Sequence, residues 1–287
     1  MPKKFLQFVM IGVCLLTLTA CSIERISMRI TSNYIKYKIE SLNNESDLLK
    51  VEQQLPKNIE SLEQLITKNK HNKELHIYAA QAYYSYAFGF IEDKDINHAT
   101  WLYSQAYHHA KEALALNGIS ESDLKGSTIN LRQKIRALKV DATDALYWTA
   151  ISWAKMIEIK QPSFSYLIQF HKPAILMKKV IKLDDSYLHY GSYLFFAVYY
   201  AALPFYLGGN NSTAIKYFEQ ARSLNHNRLL IIDFLQLKYL KERIKKETYT
   251  QRLKKIIDAP AGKHPEHILM NAVAKKKASN LLSASHN

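Results

Sequence analysis

The sequence predicts an all-α protein: a superhelix of helical hairpins closed by a C-terminal capping helix. Three observations predict it. Apolar residues keep the helical period along the chain and nowhere alternate as a half-buried strand requires. Only 8 Gly and 7 Pro occur in 287 residues, too few for an all-β fold with many tight turns or for a glycine-rich phosphate loop. One unit is also written twice. Ala214, Phe218 and Ala221 fall at i, i+4 and i+7, on one helix face. Ala99, Tyr103 and Ala106 repeat that spacing, and Ala87 and Ala202 each stand twelve residues before the first alanine of their set.

Small–aromatic–small at this spacing is the signature of the second helix in a tetratricopeptide hairpin, where small residues let two helices approach closely. Such hairpins stack because each buries only part of its apolar face alone.

The elements follow in order. Residues 1–20 read as a lipoprotein signal peptide: Lys3 and Lys4, then an apolar run too short for a comfortable membrane span. Leu18-Thr19-Ala20-Cys21 resembles a bacterial lipid-attachment box, so Cys21 is the expected acylated residue, palmitate among its chains; the other reading is a plain secretory signal or an N-terminal anchor helix. Several acyl chains hold a protein stably on a bilayer. By resemblance to enterobacterial lipoprotein sorting, Ser22, being non-Asp, favours the outer membrane over the inner. The other cysteine, Cys14, lies within the signal, so the mature chain forms no intrachain disulfide.

Residues 21–45 form the lipidated N-terminus and a short tether or helix, with Ile23, Ile26, Ile30, Ile35, Ile39 and Leu42 in weak helical rhythm. The repeat domain spans 46–285. A helix at 47–54 precedes a second, with Pro56 in its first turn, that runs to Lys68. Helices 74–91 and 96–116 follow, the latter closed by Asn117-Gly118. Residues 118–144 break the rhythm and read as an insertion holding a basic helix. Helix 142–159 is stopped by Pro162, and 163–170 is a helix or an ordered loop. Helices 173–183, 186–206, 211–224, 228–243, 247–258 and 265–283 complete the chain.

In their order and spacing, several motifs resemble the T component of tripartite ATP-independent periplasmic (TRAP) transporters. They are Leu55-Pro56 with Glu63, Ala82-Tyr83 and Tyr86 through Asp93, Ala145 through Trp148 with Trp153, Leu183 through Tyr187, Leu207-Gly208-Gly209, Ala214 to Ala221, and the tail from Ile257 to Pro260 with Asn271 through Ala274. The resemblance covers about 45–282. It implies a periplasmic lipoprotein of tetratricopeptide-like fold that engages the transporter's solute-binding receptor. It further implies a homotrimer and a cavity or pore for an apolar small molecule. The basic charge and the 118–144 segment depart from the family pattern.

In the first helix of a hairpin, certain positions face the concave groove. Aligning Ala87 with Ala202 pairs Gln81 with Phe196, Tyr84 with Tyr199 and Phe88 with Leu203. With Trp148 and Trp153, these residues either line a groove, the Tyr hydroxyls at its wet end, or pack between helices as core. Glu92, Asp93 and Asp95 either cap the next helix or meet a partner or cation. The formal charge is +14, or +12 without Lys3 and Lys4. The run Lys238, Lys241, Arg243, Lys245, Lys246, Arg252, Lys254, Lys255 and Lys275–Lys277 is either a solvated face or a patch for anionic lipid or an acidic receptor. An export signal argues against nucleic acid.

The 11 histidines show no metal-ligand spacing, and no nucleophile, zinc or phosphate motif is present. The expectation is therefore a non-enzymatic scaffold with no cofactor, anchored by lipid and binding a periplasmic receptor. The alternative is a tetratricopeptide adaptor in cell-envelope assembly.

Overall fold

A computed structural model of the chain describes residues 35–159, 169–260, 262 and 265–284. The signal, Cys21, the stretch from Ile23 to Ile30, Pro162 and most of 163–170 lie outside those residues. The chain divides into two compact units, residues 1–42 and 43–287. In the first, residues 35–42 are the described part and are helical, as the start of α1 (35–43).

The second unit is helical throughout, and among the described residues there is no strand. Its helices are α2 (Leu48–Lys68), α3 (Lys73–Tyr86), α4 (Ile96–Ala115), α5 (Glu121–Lys125), α6 (Thr128–Arg136), α7 (Thr143–Ile159) and α8 (His171–Leu183). They continue with α9 (Tyr187–Ala202), α10 (Asn211–Leu224), α11 (Leu230–Tyr239), α12 (Lys246–Asp258) and α13 (Pro265–Ala284).

Short polar side chains start many of these helices, because the first backbone N–H groups have no partner within the helix. Asp47 accepts from Leu49 and Lys50, Asn72 from Leu75, and Asp95 from Asn97 and His98. Ser120 and Asp123 form a capping box on α5.

Several elements differ from the sequence expectation. The expected helix 186–206 ends at Ala202 and holds Leu188, His189 and Tyr190 at positive φ, and the expected helix 228–243 ends at Tyr239. Pro56 does not open a helix. It lies inside α2, which runs unbroken from Leu48 to Lys68. The buried stripe Val51, Leu55, Ile59, Leu62 and Ile66 passes straight across it, and that burial outweighs one missing backbone hydrogen bond. The expected helix 74–91 changes character at its end, where Ala87–Ile91 forms a π-helical turn.

Helices near one another in sequence pack together: α2 on α3, α3 on α4, α4 on α7 across the short α5 and α6, α7 on α8, and α9 on α10. The repeated motif is the interface. Ala99, Tyr103, Ala106, Ala214, Phe218 and Ala221 are all at 0% exposure, so helices meet at alanine and the single large ring fills the gap between them. The 118–144 segment joins the same core through Leu124, Leu131 and Ile135. Cations of α8 close its helix ends: Lys172 donates to the carbonyls of Leu124 and Lys125, and Lys179 to that of Arg136. Helix α13 packs against α11 and α12 and reaches α2.

Candidate functional site

The inner face of α3 sets the site. Tyr84, Phe88 and Glu92 follow at four-residue steps on one side of α3 and its π turn. Tyr84 meets Trp148 of α7 edge-on at 5.7 Å and Tyr103 of α4 at 5.2 Å. Phe88 stacks near Tyr84 at 6.3 Å.

Beyond these rings lies a cluster of charges that the helices bring in from four directions. Lys155 of α7 places its ammonium 3.1 Å from Glu92 Oε2 and 3.1 Å from Glu158 Oε2. Lys238 of α11 donates to Glu92 Oε1 at 2.8 Å. Tyr103 donates its hydroxyl to Glu92 Oε2, and Tyr239 donates to Glu158 at 2.6 Å. From α13, Lys277 donates to Asp93 at 2.8 Å and Asn280 to the other oxygen of Asp93 at 3.1 Å. The Lys277 ammonium also stands 4.7 Å from the centre of the Phe88 ring, a cation–π distance. Three lysines thus face three carboxylates.

The electrostatics follow from that crowding. Burial alone would raise the pKa of Glu92, but Lys155, Lys238 and Lys277 outweigh it and hold the carboxyl well below the usual carboxylate range. Burial would depress Lys155, yet Glu158, Tyr239, Tyr103 and Glu92 together raise it. Lys277 goes the other way: burial lowers it, and Glu92 and Asp93 only partly offset that. The cluster fastens the π turn, α4, α7, α11 and α13 to one another. Among the described residues no group of three or more His, Cys, Asp or Glu side chains is placed to hold a metal ion.

Of the residues picked out from sequence, Tyr84, Phe88 and Trp148 come together here. Trp148 is 6% exposed, Phe196 1%, Tyr199 8% and Leu203 6%. Phe196 and Tyr199 belong to a second aromatic group with Tyr200 and Tyr217. Trp153 turns away toward Tyr107 of α4, at 5.6 Å, and Lys172 of α8. Gln81 is half-buried on α3.

Sequence reasoning missed the charged half of the site. Of the acidic trio, Asp95 is the helix cap, while Glu92 and Asp93 receive cations of the chain itself. Lys238 and Lys277 turn inward from a run that reads as a surface face. One signal was present: Lys155 is the only basic residue of α7 and stands three residues before Glu158, and a cation on a helix this rich in apolar residues needs paired carboxylates.

The architecture is that of an all-α protein of successively packed helices, with an aromatic and ion-paired interior. The sequence model of the TRAP transporter T-component family matches residues 44–287, so the chain belongs to that family. Its role is that of an accessory component of such a transporter, associated with the cell envelope and not part of a known enzyme family. No curated protein matches it. Among the described residues, no helix is long and apolar enough to cross a membrane.

Proposed function

We propose that this chain is a lipid-anchored, non-enzymatic scaffold that presents a periplasmic solute-binding receptor to its transporter. Its helices form a tetratricopeptide-like superhelix, held on the membrane through acylated Cys21. The observation that carries the reading is the family match across nearly the whole second unit. The repeated alanine–aromatic–alanine interfaces support the superhelix, and the sequence of residues 1–21 supports the anchor.

The concave face accepts an apolar ligand beside Tyr84, Phe88 and Trp148. Helix α13 lies against Phe88 at one edge of that place, pinned by Lys277 and Asn280 to Asp93. A ligand therefore enters when α13 yields.

The test is purification of the acylated protein from its own envelope under gentle solubilisation, with mass spectrometry of bound proteins and lipids. A solute-binding receptor in the eluate, and an acylated Cys21 peptide, are the expected results. Envelope-assembly proteins without a receptor would replace this reading with that of an assembly adaptor.

A further inference from the structure

The turn between α9 and α10 carries two aromatic side chains that the fold does not bury. Phe205 is 88% exposed, the most exposed large apolar side chain among the described residues, and Tyr206 is 72% exposed. This turn is built rather than loose. Pro204 accepts from the N–H groups of Leu207 and Gly209 at 3.0 Å each, and Asn210 donates to Tyr200 O at 2.9 Å. Gly208 adopts φ 96°, and a Cβ on Gly209 would lie 1.7 Å from the Leu203 carbonyl oxygen. Only glycines fit there, and they hold Phe205 and Tyr206 outward as a fixed knuckle.

Cations stand beside the knuckle. Phe205, Pro204, Asn211, Ser212 and Arg243 line one cleft of about 420 Å³. Arg243 places Nε and Nη2 each 3.1 Å from the Asn211 side-chain amide, which accepts from both when its oxygen is assigned toward them. Lys241, Arg243, Lys245 and Lys246 are all exposed. The last two lie within three residues of Arg243, at most about 11 Å of chain. Glu242 and Glu247 are the carboxylates of that stretch, and no acidic residue occurs between Asp185 and Glu219.

We infer that the Phe205–Tyr206 knuckle and the Lys241–Lys246 turn form a docking surface for an anionic phospholipid bilayer. The inference rests on the proposed lipid anchor, which keeps the chain at a membrane. A protein partner needs a shaped pocket for each projecting ring, whereas the headgroup region takes both without one. Phe enters the acyl boundary while the Tyr hydroxyl stays among headgroups. Arg and Lys reach lipid phosphates on the same side. A lipid chain supplemented by a basic patch also binds more firmly than either alone.

The experiment uses the full acylated protein carrying Phe205→Trp, incorporated into vesicles with brominated acyl chains. One set contains phosphatidylglycerol and phosphatidylethanolamine, the other phosphatidylcholine alone. Subtracting the wild-type signal removes the contribution of the native tryptophans. In anionic vesicles the new tryptophan should shift to the blue and lose roughly twofold in intensity, as expected at interface depth. In neutral vesicles, or with Arg243→Glu, Lys245→Glu and Lys246→Glu added, it should remain as in buffer. An unquenched tryptophan in anionic vesicles overturns the inference, including the case where it is shielded by another protein instead. Equal quenching in neutral vesicles overturns the part assigned to charge. Flotation on neutral vesicles, with and without Cys21→Ala, reports the anchor alone, so failure of that reading is seen separately.

Discussion

Glu92 is 8% exposed along its side chain and is the anion on which the buried lysines converge. Replacing it with Gln keeps the volume and removes the charge. Lys155 would keep Glu158, but Lys238 would lose its carboxylate. Breaking a buried pair from one side typically costs ~3–5 kcal/mol. Glu92→Gln should therefore lower the urea midpoint strongly at pH 7. Its pH dependence carries a sign. The folded-state pKa is depressed, so the stabilisation is complete above the ordinary carboxylate pKa, 4.5, and is lost as pH falls toward the folded value. The difference in unfolding free energy between wild type and Glu92→Gln should thus shrink steadily below that pH. A constant difference down to pH 3 would mean that the cost comes from packing and not from charge. Lys155→Met is the matching probe, and a double-mutant cycle with Glu92→Gln should give a coupling of ~0.5–3 kcal/mol.

At the scale of elements, Pro56 and His226 are among the positions that oppose their local preference, and each yields a test. Pro56 is exposed within α2, and proline inside a helix is ~3 kcal/mol less favourable than alanine. Part of that is returned because proline also restricts the unfolded chain, by ~0.4–1 kcal/mol. Pro56→Ala should stabilise the protein by ~2 kcal/mol in equilibrium unfolding. The end of α10 is a Schellman turn: Asn227 donates to Arg222 O at 3.0 Å and His226 to Ser223 O at 2.9 Å. His226 holds the left-handed position with φ 52°, where glycine is usual, and it is exposed. His226→Gly should raise stability by ~1 kcal/mol, read as a higher melting temperature. Both positions show what was legible in the sequence. Helix existence followed from the apolar period, which needs only one buried stripe. Helix ends were harder to place. The preference of proline for a first turn is a local rule, and the stripe from Val51 to Ile66 overrode it through contacts no local window contains. Leu188, His189 and Tyr190, all at positive φ, gave no signal either. Beside them, Gly191 faces Tyr147, whose hydroxyl would lie 2.5 Å from a Cβ placed there.

For the molecule as a whole, the legible part of the site was aromatic and the illegible part ionic. Tyr84 and Tyr199 were both legible as aromatic positions facing other helices, and each packs in an aromatic group of its own. Lys277 sits in a run of three lysines, and only long-range packing decides which of them turns inward to Asp93, 184 residues away in sequence. That contact is also the latch on the proposed ligand route. Asp93 is 34% exposed along its side chain, whereas Lys277 is 2% exposed, so Asp93→Asn removes the latch from its solvent side and leaves the packing of α13 in place. If α13 must yield for an apolar ligand to reach Tyr84 and Trp148, the competent state is a minor one, and apparent affinity scales with its population. Weakening the latch by ~1.4 kcal/mol would raise that population, and the affinity for an apolar fluorescent probe, about tenfold. Hydrogen exchange in α13 should accelerate in the same variant while α3 and α4 remain protected. Faster exchange in α13 without any gain in probe affinity would separate the two: α13 would be a stabilising cap, and the ligand would have to reach the protein elsewhere.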